Sequence, residues 1–181
     1  MTEVRGVEEV ERAGLAFAER EGFSLIGRLG FGQDGSVYRT SDETAVKVFA
    51  EERLFFAEWE AYLRIEEAGL TTAAGHAIPG LRKADFGLWV LHLDLVYPPF
   101  VLDFARVSLG ARSERRWPPH VWAERVAAWE RRFPRAHWPR VLEVREALGA
   151  AAGVWLEDLH PGNVRFEDSD ETGPSGSTPT S

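Results

Sequence analysis

An α+β fold is what this sequence predicts, because two textures alternate along its 181 residues. From Phe23 to Phe49 the apolar residues come in short runs broken by glycine and by Thr40-Ser41-Asp42-Glu43, which is the pattern of strands joined by turns. On either side of that stretch, apolar residues recur at steps of three and four among Glu and Arg, as on the buried face of a helix. With 44% apolar and 28% charged residues the chain can bury a sizeable core, and its length points to one domain with small appendages.

Taken in order, Val7, Val10, Gly14 and Phe17 predict an amphipathic helix over 7–21 that caps a sheet. Residues 23–49 predict strand, glycine loop, strand, turn, strand. Helical spacing returns over 51–68, with Leu54, Phe55, Tyr62 and Ile65 on one side. Leu88 to Val96 alternates as strands do and stops at Pro98-Pro99, since proline cannot continue a ladder. Beyond that the chain reads as helical. Trp122, Val126, Trp129 and Phe133 mark a helix over 121–133, and 139–148 forms another that feeds the loop at Asp158. Val164-Arg165-Phe166 suits a strand and Glu167 to Glu171 a turn. Residues 173–181, without an apolar side chain, are expected to be disordered.

A net charge of −8 argues against a nucleic-acid or anionic-membrane surface. Without cysteine there is no disulfide framework and no thiolate chemistry. No apolar run approaches the ~20 residues of a membrane span, and Met-Thr-Glu-Val-Arg-Gly lacks the apolar core of a signal peptide, so the expected location is cytoplasmic.

Chemistry concentrates in two places. Gly30-x-Gly32-x-x-Gly35 would also satisfy a dinucleotide-binding fingerprint, but that fingerprint opens a helix at its third glycine. Here Ser36-Val37-Tyr38-Arg39-Thr40 continues as a strand, so the loop is a hairpin able to fold over phosphates, or else merely a tight turn. Lys47 lies between Val46 and Val48, whose side chains point to the opposite face, and a lysine facing inward from a buried strand needs a counter-charge. Glu58 is the expected partner, because Tyr62 and Ile65 share its side of the helix, whereas Glu60 leads to Arg64 and solvent. Near the other end, Asp158-Leu159-His160-Pro161-Gly162-Asn163 sets an aspartate and an asparagine on one proline-braced loop. Such a loop can aim both side chains at a single site, although Asp, Pro, Gly and Asn are all turn formers.

In this order the two segments resemble the ATP site of the protein-kinase-like superfamily, and the second is most similar to the Asp-Leu-His-Pro-x-Asn loop of aminoglycoside- and choline-kinase-like families and several bacterial kinase-like families. The resemblance implies two lobes: an antiparallel five-stranded N-lobe with one helix (23–97), preceded by the helix in 1–22, and a reduced helical C-lobe (98–172), followed by the tail 173–181. It implies ATP and Mg²⁺ as ligands, with Gly30, Gly32 and Gly35 around the phosphates, Val37 on the adenine, and Val96 lining the pocket near the junction Val96-Tyr97-Pro98. Lys47 with Glu58 would hold the α- and β-phosphates, Asp158 would accept the acceptor's proton, and Asn163 would bind the metal.

Some positions depart from the family. Leu156 stands where a histidine is usual, and Glu157 replaces the arginine or glycine before the aspartate. The metal-binding aspartate of an Asp-Phe-Gly-like element should follow Asn163, yet Asp168 and Asp170 fall in the expected turn and read as solvated acids. Asp85-Phe86-Gly87 precedes the catalytic loop, at the start of a predicted strand, and reads as coincidence. These departures imply a phosphotransferase acting on a protein or small-molecule hydroxyl with feeble turnover, or a nucleotide-binding pseudokinase or interaction module. A partner chain completing the C-lobe is compatible with either.

Overall fold

The computed structural model describes residues 4–32 and 34–167. The expected tail at 173–181 and the acids Asp168 and Asp170 lie outside the described residues. Helix α1, Val7–Glu21, is followed by strands β1 (Leu25–Gly32), β2 (Gly35–Thr40) and β3 (Thr44–Phe49), then helix α2 (Glu52–Glu67). The short strands β4 (Thr72–Ala73) and β5 (His76–Ala77) precede β6 (Leu81–Asp85), β7 (Val90–Asp94), β8 (Phe100–Val101) and β9 (Val107–Leu109). Helices α3 (Pro119–Glu130) and α4 (Trp138–Ala152) come next, then β10 (Val154–Leu156) and β11 (Val164–Arg165).

The main sheet is antiparallel, in the order β1-β2-β3-β7-β6. Its two faces are used differently. Val46, Val48 and Val90 point to one face, where α1 buries Val10, Ala13, Phe17 and Ala18. Gly14 permits that approach, since a Cβ there would sit 3.1 Å from Val48. Helix α1 stops at Gly22, in the left-handed region at φ 84°, as an αL helix cap requires. Ala45, Phe49 and Leu91 point to the other face and join Leu54, Phe55, Ala61, Tyr62 and Ile65 of α2 in the larger core. The expected α+β class, the antiparallel five-stranded sheet, the capping helix and the helix at 51–68 are all present.

The region after Pro99 is less helical than its sequence suggests. Strands β8 and β9 interrupt it, β9 pairing with β10 and β8 pairing antiparallel with β11. Two- and three-residue strands contain too few alternations to register as a period of two. The helix expected at 121–133 starts two residues earlier, with Pro119 at its first position, and ends at Glu130, before Phe133. The helix expected at 139–148 extends from Trp138 to Ala152, ending at Gly153 with φ 66°. Asp85-Phe86-Gly87 does not open a strand: Asp85 ends β6, and its Oδ1 accepts the Leu88 N–H at 2.8 Å to close the turn into β7. No helix among the described residues is long and apolar enough to cross a membrane.

The hairpin β1–β2 closes with Gly32 opposite Gly35. Gly35 has φ 145°, and a Cβ there would meet the Val48 carbonyl oxygen at 2.0 Å, whereas a Cβ at Gly30 would meet nothing within 4 Å. Gly35→Ala should therefore cost at least about 2 kcal/mol, while Gly30→Ala should stay within about 0.5 kcal/mol of wild type. Urea midpoints at constant m value would check both.

Candidate functional site

Strand alternation turns Lys47 toward α2, opposite Val37 on β2 and Leu91 on β7. Its ammonium is buried and lies 2.6 Å from Glu58 Oε2 and 3.0 Å from Asp103 Oδ1. Glu58 is 1% exposed, whereas Glu60 pairs with Arg64 at the surface, as the helix spacing predicts. Burial alone would lower the Lys47 ammonium, but Glu58 and then Asp103 outweigh it and hold it above its ordinary value. Two carboxylates thus share one cation, and they divide unequally. Burial pushes the Glu58 carboxyl up to about 7 against the pull of Lys47, with Asp103 adding to the rise. Burial also opposes ionisation of Asp103, yet Lys47 outweighs it and holds that carboxyl below its ordinary range.

Asp103 is the member of this cluster that sequence periodicity does not pick out. It follows β8 and has φ 65°, an uncommon backbone state outside glycine that persists where its surroundings enforce it. The pairing of β8 with β11 brings it to the catalytic-loop candidate: Val101 lies opposite Val164, and the Leu102 N–H donates to the Asn163 carbonyl at 2.7 Å. A signal is present in Val101-Leu102-Asp103-Phe104-Ala105, an apolar strand running into Asp-Phe. It precedes Asp158 in the chain, whereas the kinase-like pattern directs attention to the residues after Asn163.

The segment from Asp158 to Asn163 folds as a loop anchored by the fully buried Leu159. Asn163 is buried and its Nδ2 donates to the Asp158 carbonyl at 3.0 Å, which leaves Oδ1 as the acceptor of that amide. Asp158 Oδ1 accepts from Arg132 at 2.9 Å, and Arg132 also donates to the Leu159 carbonyl at 3.3 Å. His160 Nε2 stands 3.9 Å from Asp158 Oδ2. The Glu157 N–H donates to the Arg106 carbonyl at 3.0 Å, so the loop lies alongside the segment that carries Asp103.

Arg106 ties this region to the glycine hairpin through two bonds to Asp34, of 2.9 and 2.8 Å. Its guanidinium is held above its ordinary value by Asp34 first, with Asp158 and Asp103 contributing from nearby. Hairpin, Lys47 cluster and Asp158 loop are therefore neighbours. Gly30, Gly32 and Gly35 line the hairpin, and Val37 is half-buried on the face that carries Lys47. Val96 is half-buried just past β7, where the chain leaves the main sheet. Among the described residues no cluster of three or more His, Asp or Glu side chains has metal-binding geometry. No protein-family model, curated protein or solved structure matches this chain.

The raised Glu58 carboxyl has a thermodynamic consequence. Its folded-state value of about 7 exceeds the ordinary 4.5, so the folded protein binds the extra proton between those pH values. Stability should then be full below the lower value, fall as pH rises toward the upper one, and level off above it. Relative to Glu58→Gln, wild type should lose on the order of 3 kcal/mol across that window. Chemical denaturation of both proteins at several pH values spanning the window would measure it.

Proposed function

We propose that this chain is a kinase-like phosphotransferase that binds ATP with Mg²⁺ and transfers the γ-phosphoryl group to a hydroxyl, with Asp103 as a metal-binding carboxylate. The observation that carries this is the Lys47 ammonium shared between Glu58 and Asp103, with Asp103 following a strand paired to the one that follows Asn163. The strand order β1-β2-β3-β7-β6, with α2 presenting Glu58 beneath the lysine strand, supports an N-lobe of the kinase kind. The hairpin fits a phosphate group: a Cβ at Gly30 or Gly32 would meet open space, so packing does not demand glycine at either position. Close approach of a ligand to the backbone would.

Lys47 would hold the phosphates of bound ATP, and the backbone N–H groups of the hairpin would lie over them. Asp103 and Asn163 Oδ1 would hold Mg²⁺, which needs a carboxylate besides phosphates and waters. When bound, Mg²⁺ supplies charge neutralisation on the phosphoryl group. Asp158 would accept the hydroxyl proton while the acceptor oxygen bonds to the γ-phosphorus and the bridging P–O bond breaks toward ADP. With a carboxylate beside Lys47, no aspartate after Asn163 is needed, and turnover replaces feeble activity as the expectation. The pairing of Asp158 with Arg132 favours the alternative, a nucleotide-binding protein without turnover, because the Asp158 oxygen facing the cleft is already bonded to a guanidinium.

ATP with Mg²⁺ should raise the melting temperature, by the equivalent of about 2.7 kcal/mol at a hundredfold excess over Kd. Asp103→Asn should keep the nucleotide shift seen without metal and lose the Mg²⁺-dependent part. Asp158→Ala should keep the whole shift and lower ATP consumption by about 10²- to 10⁴-fold. Absence of any ATP-dependent shift in wild type, with or without Mg²⁺, would refute nucleotide binding; a full shift without Asp158-dependent turnover would establish the alternative.

A further inference from the structure

Beside Asp158 lies an open cleft of about 550 Å³ lined by Arg106, Arg125, Arg132, Trp129, Glu157 and Asp158. Three guanidinium groups face two carboxylates, Glu157 and Asp158, in this cleft, a local excess of positive charge in a chain of net charge −8. Each is held in place. Arg125 lies over the Trp129 ring at 5.2 Å and near Trp117 at 5.8 Å, and its Nη2 donates to the Glu157 carbonyl at 2.8 Å, with the Glu157 carboxylate 3.7 Å away. Arg106 is fixed by Asp34. Arg132 spends one nitrogen, Nη1, on both Asp158 and Leu159, leaving the other two uncommitted among the described residues.

From this cleft we infer an oxyanion subsite for the acceptor: the hydroxyl compound phosphorylated here is a small molecule that also carries a phosphate or carboxylate. The inference rests on Asp158 being the proton acceptor of the proposed phosphotransferase. A volume of this size suits a small ligand, and one of its cationic groups, Arg132, lies against the carboxylate that would receive the hydroxyl proton. The Arg132–Asp158 pair has side chains 46% and 34% exposed. Such an exposed pair is weak and screened by solvent. A phosphate that accepts two parallel bonds from the same guanidinium competes well for it. An anionic acceptor would thus do two things in one step: anchor on Arg132 and Arg125, and release Asp158 from its ion pair. A neutral alcohol would lack the anchor on Arg132 and Arg125, so selectivity for an anion would come from that anchor.

The test is a titration of the full chain with inorganic phosphate at constant ionic strength, followed by tryptophan emission, since Trp129 and Trp117 flank Arg125. Saturable binding is expected, weakened at least about tenfold in Arg132→Gln and in Arg125→Gln, by the loss of a charge-assisted bond. Arg132→Gln should keep the circular dichroism and melting temperature of wild type, and Arg125→Gln the circular dichroism. Saturation by phosphate but not acetate assigns a phosphate-bearing acceptor, and saturation by both assigns oxyanions in general. No saturable binding, or binding unchanged in both variants, overturns the inference. So does binding of poly-glutamate without binding of phosphate, which would make the cleft a polypeptide surface. Because no nucleotide is added, a protein that fails to bind ATP refutes the phosphotransferase proposal separately, and one that turns over ATP yet ignores phosphate refutes the subsite alone.

Discussion

Burying an ammonium between strands costs several kcal/mol unless carboxylates meet it with good geometry, and Lys47 meets two. Glu58 comes from the helix under the sheet and Asp103 from the segment after β8, so one cation fastens three parts of the chain at a single point. With both carboxylates ionised the cluster holds one more negative charge than positive, and burial places most of that imbalance on Glu58. Removing Lys47 would leave two carboxylates beside Phe55, Tyr62 and Phe104, members of the apolar core that runs from the main sheet to α4.

The second constraint is the short ladder between β8 and β11, extended by the bond from Leu102 to Asn163. It places the aspartate that follows β8 near the asparagine that precedes β11, although α3 and α4 both lie between Asp103 and Asn163 in the chain. Antiparallel pairing depends on register and hydrogen bonds, not on which strand comes first. The entropy of closing a longer connection grows only slowly with its length. A carboxylate from before the loop is therefore brought close to Asn163 by the fold.

The contact between Arg106 and Asp34 is of another kind. It is partly exposed and joins the tip of the glycine hairpin to the segment after Asp103. Exposed pairs are weak and screened by salt, so this contact opens more readily than the buried Lys47 cluster. Arg132 on Asp158 has the same character. The buried ion cluster holds the frame here, and the exposed pairs lie at its surface.

Much of the frame was legible in the residues. The alternation of Val46, Lys47 and Val48 set the inward face of β3, the spacing of Glu58, Tyr62 and Ile65 set the buried side of α2, and the spacing around Phe17 set α1. These are local periodicities, and a period of two or of 3.6 is a property of consecutive residues. The Asp158–Asn163 loop was legible for the same reason, as turn formers close together. What only the tertiary structure decided is what depends on residues far apart in the chain: the pairing of β8 with β11, Asp103 on Lys47, Arg132 on Asp158 and Arg106 on Asp34. Strands of two residues have no period to detect, and an arginine's partner depends on where the backbone carries it, which no short-range pattern encodes.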